Sequence, residues 1–142
     1  LIQKACILLR LQQTTCVSAA AIFQRFYFRR SFADFDVRVA AAASILLAGK
    51  LEETQRRLKV IVEVFHRLHM RSLEEGGEPV YAGRPTPAVE STSRDMLEMK
   101  QAIIAAERHM LQELGFAVGA LLEHPHKYVL QFVKSLKKST DF

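Results

Sequence analysis

Apolar side chains return every three or four positions along most of the chain, the repeat expected of helices with one face turned inward. Leu1, Ala5, Leu8 and Leu9 form a short first stripe. Val17, Ala20, Ala21, Ile22, Phe23, Phe26 and Tyr27 make the next segment apolar over most of its circumference, which predicts a well-buried second helix. Asp36 is suited to cap a third helix over 37–51, and that run is apolar on nearly every side. Its alanines, Ala40 to Ala43, let neighbouring helices come close, so the pattern predicts a central helix packed all round. Leu58, Ile61, Val62, Phe65 and Leu68 give a fourth helix one core face.

The pattern then breaks. Residues 72–91 hold Gly76, Gly77, Gly83, Pro79, Pro85 and Pro87 without helical period, and predict a long mobile loop. A fifth helix resumes at Thr92 and runs to Leu114, before Gly115 as its C-terminal cap. It carries two stripes: Met96, Met99, Ile103, Ala106, Met110 and Leu114 suit a core face, while Leu97, Ile104 and Leu111 share another side with Glu107. A second stripe implies a second contact, with an internal neighbour or with another protein. Pro125 is placed to open a last helix with Tyr128, Val129, Phe132, Val133 and Leu136 along one face. No strand alternation, internal repeat or Gly-rich phosphate loop is visible, and the fold class is all-α.

Composition agrees with one compact domain: 142 residues, 49% hydrophobic, with no Trp. The longest lipid-like run, 39–48, falls well short of the roughly 20 residues that cross a bilayer, so no membrane partner is expected. The net charge of +5 is dispersed, with only short pairs such as Arg29-Arg30, Arg56-Arg57 and Lys137-Lys138. Dispersion argues for solvated helix faces over a direct nucleic-acid site, and leaves acidic protein partners as a smaller class. Cys6 and Cys16 sit in apolar helical contexts and read as buried inert thiols in a reducing compartment.

Enzymatic signatures are absent. No nucleophile stands beside a base, and the carboxylate pairs Glu52-Glu53 and Glu74-Glu75 lie at a helix end and in the loop, where no dry pocket brings them together. His66 with His69, and His124 with His126, are pairs without Cys or clustered carboxylates, too little to define zinc; no metal or cofactor is expected. Lys50 and Glu107 stand apart because hydrophobes flank each at helical spacing: Leu47 and Leu51 beside the lysine, Ile104 and Leu111 beside the glutamate. Two readings are open. They form a salt bridge between adjacent helices, or they lie at an apolar interface where charges fix the register of a partner backbone.

The run Leu47-Ala48-Gly49-Lys50-Leu51-Glu52-Glu53, followed by Glu107 in the fifth helix, resembles the two hallmarks of the cyclin box. Similarity extends over essentially the whole chain and is greatest to the L-type of transcription cyclins, through Leu8-Leu9-Arg10-Leu11, Phe23-Gln24-Arg25-Phe26-Tyr27, Glu52-Glu53-Thr54-Gln55-Arg56-Arg57, Val64-Phe65-His66 and His124-Pro125-His126-Lys127. The histidine-proline-histidine turn is shared with cyclins K, T and C, whereas the double arginine and Val-Phe-His favour L.

The resemblance implies a five-helix cyclin box around a central third helix at 1–118, with 119–142 as linker and opening helix of a second box. It implies a nuclear regulatory subunit, not an enzyme, that binds and activates a cyclin-dependent kinase in transcription-coupled pre-mRNA splicing, with splicing factors as further partners. Lys50 and Glu107 would bond kinase main-chain groups near its C-helix, with Leu47, Leu51, Leu111, Phe116 and Val118 as apolar contacts, and would themselves contribute little to the fold. The last helix would fold back on the first box or pair with a second copy of the chain. Gln24 stands where many cell-cycle cyclins have aspartate, so their substrate-docking patch does not transfer, and no arginine-serine tail is seen in these residues. The alternative function is a cyclin-fold nucleic-acid-binding transcription adaptor.

Overall fold

The computed structural model describes residues 1–74, 93–116, 118 and 126–140, and its elements among these are six α-helices. They are α1 (Ile2–Leu8), α2 (Gln13–Arg29), α3 (Val37–Leu51), α4 (Leu58–Glu74), α5 (Ser93–Leu114) and α6 (His126–Thr140). The first five form the bundle, and α1, α2, α4 and α5 all pack on α3.

The centrality of α3 follows from its side chains. Ala41, Ala42, Ala43, Ser44 and Ala48 are at 0% exposure, and residues this small hold neighbouring helices at close range on every side. The hydroxyl of Ser44 donates to the Ala40 carbonyl at 2.8 Å and lies 3.6 Å from Met110 Sδ, so this buried polar group is satisfied. Asp36 caps the helix as expected, its Oδ1 accepting from the Arg38 and Val39 amides.

The outer helices follow their stripes with two adjustments of register. In α1 the inward face is Ile2, Ala5, Cys6 and Leu9, while Leu1 and Leu8, seven apart, share the next stripe and are about half exposed. In α2 the fully inward positions are Thr15, Ser18, Ala19, Ile22 and Phe26, so Val17, Ala20, Ala21, Phe23 and Tyr27 flank the core instead of filling it. Ile61, Val62 and Phe65 of α4 and Ile103, Ala106 and Met110 of α5 complete the core.

α4 extends through Glu74, three residues into the segment expected to be loop; the rest of that segment, with Thr92 and Pro125, lies outside the described residues. Gly115 ends α5 with φ of 75°, a left-handed conformation that costs glycine little. The last helix is expected to fold back on the first box or pair with a second copy; in the single chain its apolar side chains lie at the surface. Tyr128, Val129, Leu130, Phe132, Val133 and Leu136 of α6 are all exposed, from 40% to 70%.

Candidate protein-binding site

The site begins with the way α3 stops. Thr54 N–H bonds the Gly49 carbonyl and Glu52 N–H that of Ala48, which places Glu53 at φ 55°, a position usually given to glycine. Two buried hydroxyls of α2 hold this turn: Ser18 donates to Glu52 Oε1 at 2.8 Å, and Thr15 and Thr54 hydroxyls share a 2.8 Å hydrogen bond. The sequence reading missed this polar latch; its signal was two hydroxyl residues three apart on the inward face of an apolar helix.

The latched end of α3 carries Lys50 toward the middle of α5. Its Nζ lies 2.7 Å from Glu107 Oε1 and 2.8 Å from Oε2, and the latter contact has hydrogen-bond geometry. Oε1 is buried, and among the described residues the Lys50 ammonium at 2.7 Å is the charge that faces it. The environment is asymmetric: Glu107 is 7% exposed, whereas the lysine side chain is 44% exposed. Of the two readings, the salt bridge between adjacent helices is formed, and it buries Glu107 within the bundle. A carboxylate this buried is retained because a cation stands over it.

The surrounding hydrophobes divide into two groups. Leu51, Ile104, Leu97 and Phe116 are exposed at 37%, 45%, 54% and 79%, and Leu111 is half-buried. Leu47 and Val118, expected as contacts, instead face the core at 4% and 2% and present no surface to another protein. Leu47 is three residues before Lys50 on a helix surrounded by neighbours, so adjacency in sequence did not mean adjacency on the surface. Leu51 follows Lys50 on α3, Ile104 and Leu111 stand three and four residues from Glu107 on α5, and Leu97 and Phe116 are exposed farther along α5 and just past its end, so apolar surface flanks an ion pair with one buried and one half-exposed partner.

The remaining candidates stay apart from this face. Burial, and then Arg38 and His66, hold His69 below the usual histidine range, and among the described residues no group hydrogen-bonds the buried His66 Nε2. Among the described residues no three His, Cys, Asp or Glu side chains converge on a metal position. Cys6 and Cys16 are free thiols, and burial, reinforced by the Cys16 thiol, pushes Cys6 up to about 12, which keeps it protonated and inert near neutral pH. No described helix is long and apolar enough to cross a membrane.

Comparison with known proteins matches residues 1–119 to the cyclin N-terminal domain. Over 96% of its length the chain is 39% identical to Cyclin-L1-1 of Oryza sativa subsp. japonica, 39% to Cyclin-L2 of Mus musculus and 36% to Cyclin-L1 of Homo sapiens. It spans 30%, 24% and 24% of the lengths of those three relatives. With four helices gathered on α3 and the lysine of α3 joined to the glutamate of α5, the chain belongs to the cyclin family, as an N-terminal cyclin domain similar to those of L-type cyclins.

Proposed function

We propose that this domain binds and activates a cyclin-dependent kinase through the face around Lys50 and Glu107, and supplies no catalytic group of its own. The observation that carries the reading is a half-exposed lysine held by a buried glutamate on two helices that also carry exposed apolar side chains. An ammonium has three donors. With Glu107 orienting it from below, Lys50 keeps N–H capacity toward solvent, suited to a main-chain carbonyl of a partner. Leu51, Leu111, Ile104 and Phe116 then exclude water from that bond.

The action is conformational. Protein kinases need a lysine-glutamate ion pair between their third strand and their C-helix, and an apolar clamp on the outside of that helix favours the paired state. The similarity to L-type cyclins supports a nuclear role in transcription-coupled pre-mRNA splicing, with splicing factors as further partners.

The test is calorimetric titration of the kinase recovered with the chain from its source cells. Lys50→Ala and Phe116→Ser should each weaken binding, the lysine variant by about 2–5 kcal/mol, because the kinase group it bonds is left buried and unpaired. Kinase activity should fall in parallel. Unchanged affinity in folded variants overturns the assignment to this face. Steeply salt-dependent binding to DNA without any kinase partner would support the nucleic-acid adaptor instead.

A further inference from the structure

A second surface shares no residue with the Lys50–Glu107 face. The end of α1, the α3–α4 turn and the first turn of α4 enclose an open cleft of about 590 Å³, lined by Leu8, Leu9, Arg10, Gln55, Arg56, Arg57 and Val60. Its construction starts with the termination of α1. Leu11 N–H bonds the Cys6 carbonyl and Arg10 N–H that of Ile7, which puts Arg10 at φ 50°, in the left-handed region where glycine is usual. Arg56 then donates from Nε to the Leu9 carbonyl and from Nη2 to the Arg10 carbonyl, both at 3.0 Å, so a cation closes the negative end of the helix. Arg56 is thereby fixed as a wall, with the exposed Arg10 and Arg57 also on the lining.

Among the described residues the lining is one-sided in charge, with three guanidinium groups and no carboxylate. It is also partly apolar: Leu8 is 54% and Val60 39% exposed, above the buried Leu9. Like charges brought together around exposed aliphatic groups are complementary to an anionic ligand that also carries an apolar group. Among the described residues no aromatic ring lines the cleft, so they offer no stacking surface of the kind single-stranded nucleic acids use. We propose that the cleft docks an acidic peptide segment of a partner protein, seating one aliphatic side chain on Leu8 and Val60 and flanking carboxylates on Arg10 and Arg57.

The experiment is fluorescence anisotropy of the full chain with a labelled peptide of two Glu-Asp-Leu-Glu-Asp repeats. Saturable binding is expected, weakened about tenfold or more by Arg10→Glu or Arg57→Glu, each of which removes a charge-assisted contact. Val60→Ser, and replacement of the peptide leucines by serine, should each weaken it by about fivefold, the scale of one partly buried aliphatic side chain. Arg67→Glu, on the exposed side of α4 beyond the cleft, should leave affinity unchanged. Arg56 is left intact because it holds α1, and melting curves establish that the variants are folded. Absence of peptide binding, equal loss in Arg67→Glu, retained affinity in the cleft variants, or tighter binding of an oligouridylate of the same charge would each overturn the proposal.

Discussion

At the scale of single residues, the asymmetry of the Lys50–Glu107 pair sets what each substitution costs. Lys50→Ala leaves a carboxylate that is 7% exposed without its cation, and should lower stability by about 1–3 kcal/mol, the penalty for an unsatisfied buried acceptor. Glu107→Gln leaves a lysine that is 44% exposed and can hydrate, so its cost should stay under about 1 kcal/mol. Urea denaturation of both variants checks the order; equal losses, or a larger loss for the glutamine variant, would mean that burial of Glu107 does not govern the pair. The two residues were legible in the sequence from their apolar flanks, but their direction was not. Periodicity marks a residue as near an interface and cannot say which neighbouring helix supplies the counter-charge. Leu47 and Val118 show the same limit, since hydrophobes beside a surface charge look alike whether they face a partner or the core.

At the scale of elements, the helix ends rest on specific chemistry. Asp36 caps α3, and although partial burial pushes its carboxyl upward, the Arg38 side chain and the Arg38 and Val39 amides outweigh that and hold it below the usual range. An acid held low in the folded state adds stability in full above its unfolded value, near pH 4, and that stability is lost as pH falls through the folded value. Melting temperature should therefore drop less on acidification from about pH 5 to pH 3 in Asp36→Asn, which keeps a capping oxygen but does not titrate, than in the wild type. Asp36→Ala should cost about 1 kcal/mol near neutrality. A wild type and an Asn variant with identical acid profiles would show that the cap works without its charge. Asp36 and Gly115 could be read from the sequence because their chemistry is local. The terminations at Arg10 and Glu53 could not, since neither is glycine and each is held partly by groups on other elements: Arg56 for the first, the Thr15 and Ser18 latch for the second.

At the scale of the whole molecule, α3 is the part most plainly written in the sequence, because a run of small and aliphatic residues with no polar face can only be surrounded. Ala41 and Ala48 have no room to grow, and Leu at either position should cost roughly 1–3 kcal/mol by overpacking, read from thermal melts. Wild-type stability in both would mean that neighbouring helices retreat freely. The position of α6 was not legible, since an amphipathic helix announces a face to be covered without naming the cover, and here that face is exposed. The enclosure of α3 also orders the molecule in time. The amide protons in the buried middle of α3, from Ala40 to Ala48, sit beneath α1, α2, α4 and α5, so their exchange reports the opening of the box, while the exposed last turn at Lys50 and Leu51 can exchange by local fraying. The box thus has a slow centre and a fast fringe, and the binding face at the end of α3 is anchored to the slow part.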